Sequence, residues 1–299
     1  MRFGITPLQF DNTLGLVGAQ GVPDFSRFDY ARIIQEHHEQ GFSLFELTLD
    51  VRYVLPGGFT EKTVDTLVKV KEELGLTFTA HLPLWAIEPA TPNQFIRDAS
   101  VECIVDAIEL VQPLNPEVYV LHSTGSLAAE FNQLELPKPF DSVVTEYLNL
   151  HSKQSVQEIL DQAGIPPDKL ALENIEFPFN ATWQIAEALD TRVCLDTGHV
   201  QAGYSGDITV LEFVERYFSR IKEIHLHDGG QVLSQEGMVR PYDHQALGTG
   251  TLPLEEFLST LLKKGFEGLI IFELTLQEAL ESLKVIRERL PDFPIELTL

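Results

Sequence analysis

Thiols are scarce in this chain. Two cysteines, Cys103 and Cys194, stand far apart in 299 residues, so neither a disulfide framework nor a sulfur-rich metal site can be built. Basic residues are few as well: 21 Lys and Arg face 45 Asp and Glu, a formal net charge of −24. They form no cluster, and a polyanion such as duplex DNA would be repelled at long range, so nucleic acid is not an expected partner. No apolar run approaches the roughly 20 residues that span a bilayer, and Met1-Arg-Phe-Gly-Ile leads into polar residues without a signal-peptide core. The expectation is a soluble, cytoplasmic protein with no membrane partner. No Walker or dinucleotide glycine signature is present, so a nucleotide cofactor is not indicated. No Pro/Ser-rich linker or low-complexity tract divides the chain.

What is present is an alternation. With 44% hydrophobic residues a large core is feasible, and short apolar strands alternate with amphipathic helices, the pattern of βα units around a parallel sheet. Strands are read at Arg2–Ile5, Ser43–Leu47, Thr77–His81 and Val118–His122, and four more end at Glu173, Asp196, His225 and Glu273. Helices are read around Phe28–Gln40, at Glu61–Leu74, Asp98–Val111 and about Asp141–Gln162, the last stopped by Gly164-Ile-Pro-Pro. Eight strands close a barrel, and the length suits one α/β barrel spanning residues 1–299. Two segments, about 6–26 and 228–252, exceed ordinary connections and are expected to be substrate loops or lids at its mouth.

The ends of these strands carry the chemistry. His81, His122, Glu173, Asp196, His225 and Glu273 each close a short apolar strand, and in an α/β barrel strand C-termini converge on one mouth. Asp196-Thr-Gly-His199 adds an imidazole, with Gly198 read as permitting a tight turn. His244, on the strand-7 loop, could reach over the same mouth. Imidazole with carboxylate and no thiolate suits Zn²⁺ foremost, and Mn²⁺, Fe²⁺ or Co²⁺ also; one to three ions per chain are expected. A lone strand-end histidine is usually packing, but six such ends by accident are not expected. An unpaired carboxylate inside a barrel is costly to bury, which singles out Glu173 and Glu273.

Other residues carry two readings each. Phe45-Glu-Leu-Thr-Leu recurs as Phe272-Glu-Leu-Thr-Leu, placing Glu46 on its strand as Glu273 is on its own; Glu46 is read as touching substrate, standing behind a ligand, or salt-bridged in the core. His227 shares a face with His225 and is a site or packing residue. Asp243 and Trp85 are candidate substrate contacts, with Phe10 and Phe25 as pocket-lining alternatives. Cys194 reads as a small core filler, and His37, His38 and His151 as solvent-facing helix residues.

The ordered set His81, His122, Glu173, Asp196-x-x-His199, His225, His244-x-x-Leu-Gly-x-Gly and Glu273 resembles the xylose-isomerase-like TIM-barrel superfamily, over nearly the whole chain. The resemblance implies a (β/α)8 TIM barrel and divalent metal dependence, with two possible chemistries. In the sugar and sugar-phosphate isomerase or epimerase branch, Glu173, Asp196, His225 and Glu273 would hold one metal. Glu173 and Glu273 would move a proton between adjacent carbons, and His199 would hold a sugar oxygen. The Arg common a few residues past the strand-7 His in that branch is missing from His225-Leu-His-Asp-Gly-Gly-Gln. In the endonuclease IV-like branch, all eight of His81, His122, Glu173, Asp196, His199, His225, His244 and Glu273 match a cluster of up to three metals, with Glu173 bridging and His199 and His244 on the third. There the remaining carboxylate falls where this chain has Tyr242, Asp243 being offset by one. The eight matches favour a metal-dependent phosphodiesterase, and the charge balance favours a small metabolite over DNA. Cobamide-remodelling phosphodiesterases resemble the chain in size and ligands, which makes a corrinoid a candidate partner, a sugar phosphate being the alternative. A non-catalytic metal-containing binding protein is the third possibility.

Overall fold

The barrel strands are apolar at most positions because both of their faces are covered, one by the barrel interior and one by helices. In the computed structural model, which describes residues 1–8, 28–55, 57–134, 136–234, 238–295 and 297, eight of them close into a parallel barrel. These are β1 (Arg2–Ile5), β2 (Leu44–Thr48), β3 (Thr77–His81), β4 (Tyr119–Leu121), β5 (Leu170–Glu173), β6 (Arg192–Asp196), β7 (Ile221–His225) and, after a hairpin, β10 (Leu269–Phe272). Around the barrel the order is β1-β10-β7-β6-β5-β4-β3-β2. The eight expected strands are therefore present, with ends displaced by a residue or two. Glu273 and His122 lie one residue beyond their strands rather than on them.

Helices pack outside. Glu61–Leu74 starts at a Thr60 capping box and stops at Gly75, whose φ of 67° suits glycine. The helix expected from Asp98 starts earlier, at Gln94, where the Asn93 side chain accepts from the Phe95 N–H. The long helix runs Lys138–Ala163 and ends at Gly164. Tyr30–His38 turns Tyr30, Ile34 and His37 toward the core. His37 thus corrects the expectation of a solvent-facing ring. It lies three residues past Ile34 on the buried stripe, its Nδ1 stands 2.8 Å from the Ile33 carbonyl, and burial pushes it below the ordinary imidazole range. His38 and His151 are half-buried.

The segment after strand 7 is not a plain loop. Within it β8 (Asp228–Leu233) and β9 (Val239–Gln245) pair antiparallel as a separate ribbon. Most of the segment expected at 6–26, with Phe10 and Phe25, lies outside the described residues. Among the described residues no helix is long and apolar enough to cross a membrane.

Candidate metal centre

Period-2 alternation decides what faces the barrel interior. Ala171 and Glu173 share the inner face of β5, Cys194 and Asp196 that of β6, Glu223 and His225 that of β7. Ile271 continues to Glu273 after β10. Small or apolar residues (Leu44, Val118, Val120, Ala171, Cys194, Ile271) fill the inner core, and the polar residues two positions further on form the floor of the mouth. Cys194 is the small core filler expected of it: it is fully buried, and burial raises its thiol well above the ordinary range.

Glu173 is the hub of this floor. It is 1% exposed. Its Oε2 lies 3.2 Å from His81 Nε2 and 3.0 Å from His122 Nε2, while Oε1 lies 3.3 Å from His199 Nδ1 and 3.6 Å from His225 Nδ1. Burial alone would raise this carboxyl, but the His122 and His225 charges and the hydrogen bonds hold it well below the carboxylate range. Burial also acts to lower His81, and the hydrogen bond and charge of Glu173 reverse that, to about 9.

Asp196 is fully buried and works in two directions. Its Oδ1 caps the short helix Thr197–Ala202 by accepting the His199 N–H at 2.7 Å, and its Oδ2 lies 2.8 Å from His227 Nε2. The buried Asn174 side chain clamps the Asp196 backbone from both sides. Gly198 is not a turn residue, as the sequence suggested. It lies within that helix, and a Cβ there would stand 2.1 Å from His227 Cε1, so the missing side chain is what admits the imidazole.

The ribbon supplies the other flank. The His244 N–H donates to His227 Nδ1 at 2.9 Å, and the two rings stack at 4.3 Å and 14°. His244 Nε2 is 3.3 Å from Glu273 Oε2 and its Nδ1 3.0 Å from Asp243 Oδ1. Its φ is 50°, a left-handed backbone that a non-glycine residue adopts at a cost. Burial acts to lower His244, yet Asp243 and Glu273 carry it up to about 11. His199, opposed likewise by burial, is carried to about 10 by Asp196 and Glu173.

Three sets of donor atoms thereby gather within 4.8 Å at the mouth: His81, His122 and Glu173; Glu173, Asp196, His225 and Glu273; and Asp196, His227, His244 and Glu273. The middle set has a specific sign of fit to a cation. His225 Nδ1 is buried without a hydrogen bond while facing Glu273, Glu173 and Asp196 oxygens at 3.4, 3.6 and 3.8 Å. Three carboxylates and an orphaned imidazole nitrogen around one point suit a divalent ion.

The eight residues expected to ligate metal thus converge, but their grouping differs from the expectation at one corner. His227, not His199, joins the His244 set; His199 Nε2 stands 3.9 Å from Asp243 Oδ2. Trp85, half-exposed, lines a mouth cavity of about 830 Å³ with His81, His122, Glu173, His199, His244 and Glu273. No Lys or Arg lines it among the described residues. Of the three readings of Glu46, the structure agrees with an acid standing behind a ligand in the core rather than with a substrate contact: it is fully buried and bonded to His225. Sequence reasoning passed over Glu223 and Asn174. For Glu223 a signal existed, since it sits two residues before His225 and so shares its face.

An uncharacterized protein of Methanocaldococcus jannaschii is 26% identical over 270 residues, covering 84% of this chain and 82% of that one. Among solved structures, a D-tagatose 3-epimerase-like protein is similar with a TM-score of 0.69 at 21% identity, covering 97% of each chain. Endonuclease IV from Thermus thermophilus is similar with a TM-score of 0.63 at 20% identity, covering 98% of this chain and 100% of its own. Both likenesses speak to fold alone, and one fold carrying an epimerase-like protein and a nuclease leaves chemistry to the site. Residues 34–289 match the family model described as a xylose isomerase-like TIM barrel, and with that match the chain belongs to the xylose isomerase-like TIM-barrel family.

Proposed function

We propose that the protein is a divalent-metal-dependent phosphodiesterase acting on a small metabolite. One observation carries the reading: the two oxygens of Glu173 face opposite ways, one toward His81 and His122 and the other toward His199 and His225. A carboxylate so divided suits a bridge between two ions, and a pair of imidazoles devoted to one of its oxygens has no evident task in a single-metal site. When bound, divalent ions would supply the Lewis acidity and positive charge that phosphodiester hydrolysis needs; no Lys or Arg lines the cavity among the described residues. Hydrolysis adds one water across a P–O bond: its oxygen goes to phosphorus, one proton goes to the departing alcohol and the other is released. Glu173, Glu273 and His199 all line the cavity, which supports a catalytic role for each. Part of the remaining wall is apolar, with Leu8, Val51, Leu84 and Trp85 beside the acids Asp50 and Glu278, which supports a bulky partner of the phosphate with apolar surface. A corrinoid phosphodiester, the substrate class implied by the resemblance to cobamide-remodelling enzymes, therefore stands first among substrates to try.

A second reading has its own support. Glu173 and Glu273 approach the same His225 nitrogen, at 3.6 and 3.4 Å, an arrangement that suits a one-metal sugar or sugar-phosphate isomerase or epimerase in which the two carboxylates take a proton from substrate carbon and return it. Counting ions separates the two. The phosphodiesterase should retain two or three per chain, Zn²⁺ foremost, and turn over bis(p-nitrophenyl) phosphate or a cobamide. One retained ion that survives His81→Ala and His122→Ala, with turnover of ketoses or their phosphates only, would replace this reading with the epimerase. Ion binding with no turnover on either panel would leave a binding protein.

A further inference from the structure

Beneath the mouth lies a second group of buried acids that the reaction does not touch. Glu46 on β2 and Glu223 on β7 are both fully buried, and with His225 they offer donor atoms within 4.8 Å of one another. His225 stands between the two groups. Its Nδ1 faces Glu173, Asp196 and Glu273, and its Nε2 faces Glu46 Oε1 at 3.2 Å and Oε2 at 3.3 Å, with Glu223 Oε1 at 3.8 Å. Glu46 is itself held: Thr6 Oγ1 donates to Oε1 at 3.3 Å and Thr79 Oγ1 stands 3.5 Å from Oε2 and 3.2 Å from Glu223 Oε1. The repeated Phe-Glu-Leu-Thr-Leu explains how two carboxylates come to grip one ring. Phe45 and Phe272 pair with opposite sides of Ile5, so Glu46 and Glu273 leave the two strands flanking β1 in the same register. One reaches Nε2 and the other Nδ1.

We propose that Glu46 is the positioning residue of the metal centre: by accepting the Nε2–H of His225 it fixes the tautomer whose Nδ1 lone pair points at the three mouth carboxylates. The Thr6 and Thr79 hydroxyls hold Glu46 in that position. A neutral imidazole carries one N–H, and a carboxylate accepting it both orients the ring and raises its strength as a ligand. Glu223 lies on the same side of the ring, its Oε1 3.8 Å from His225 Nε2 and 3.2 Å from the Thr79 hydroxyl that also faces Glu46. The inference rests on the metal reading of the mouth but not on phosphodiester hydrolysis.

The test measures Zn²⁺ affinity by chelator competition on the full chain, with far-ultraviolet dichroism and melting of each metal-free protein as folding controls. Glu46→Gln should weaken the tightest site by about 10–100-fold, because the amide keeps the shape and loses the charge. Glu223→Gln should stay within a few-fold of the parent, since Glu223 stands farther from His225 Nε2, at 3.8 Å, and its replacement leaves the Glu46 contact in place. Unchanged affinity in Glu46→Gln would overturn the proposal and leave the metal reading intact. Parent protein that binds no ion would instead sink the metal reading itself. If Glu46→Gln fails to fold, ¹⁵N-imidazole spectra of the Zn²⁺-loaded parent decide: a His225 proton on Nε2 with none on Nδ1 upholds the proposal, and a proton on Nδ1 overturns it.

Discussion

On one flank of the mouth His81 and His122 leave β3 and β4, strands locked into the closed barrel, and both aim at a single oxygen of Glu173. On the other flank His244 hangs on the β8–β9 ribbon, which belongs to no barrel strand pair and touches the floor through His227 and Glu273. The first set inherits its geometry from the sheet. The second depends on an appended element, on a left-handed residue and on the absence of a side chain at Gly198. A site made this way can vary one flank without disturbing the other, and Glu173 and Glu273 tie the halves together.

The severest way to break the comparison is at the hub. Glu173→Gln should lower turnover of a phosphodiester substrate on the order of a thousandfold and reduce bound metal on both sides, read by elemental analysis. Loss confined to one ion would mean that Glu173 does not join the flanks. One step down, His122→Ala and His244→Ala should each remove a different ion and cost on the order of 10–100-fold in affinity. The double variant should lose both, and if the two single variants release the same ion the flanks are one site.

Acid–base behaviour sharpens the contrast without mutation. His81, His199 and His244 lie at about 9, 10 and 11, above the ordinary 6.5. Their protons therefore stabilise the metal-free fold fully below pH ~6.5, and that contribution is lost as pH rises through 9 and beyond. Melting of the metal-free protein should fall from pH 6.5 to 9.5. Melting of the metal-loaded protein should not, because ions take the place of those protons. Parallel curves would show that the imidazoles are not what the ions replace.

Gly198→Ala should cost about 1–3 kcal/mol, since its methyl would meet the His227 ring, and should weaken the ribbon flank alone. Smallest of all, Arg32→Ala breaks an exposed pair with Glu36 and should change neither metal content nor, measurably, melting.

How much of this could be read from the residues follows the same division. The barrel flank was legible because six of the eight apolar strands run into an acid or an imidazole, His81 and His122 among them, and the fold sends such ends to one place. The ribbon was not, because Val239–Gln245 contains Pro241 and little apolar alternation, so its strand character comes from pairing with Asp228–Leu233 rather than from its own pattern. Glu223 was passed over because it sits inside Ile221–His225, where an acid reads as a break in an apolar run; only the alternation with His225 tells that it points inward. The grip of Glu46 on His225 joins residues 179 apart in sequence, which no local spacing reveals.

The backbone at His244 has one more consequence. A side chain there holds the chain in a conformation that glycine would adopt with about 1–2 kcal/mol less strain, so the position is pulled toward different residues by endurance and by chemistry. A library randomised at 244 and screened only for survival on heating, with ions stripped away, should fill with glycine and asparagine. The same library screened for the proposed hydrolysis should return histidine, and the distance between the two winners would measure what the protein forgoes in robustness to keep that imidazole over its mouth.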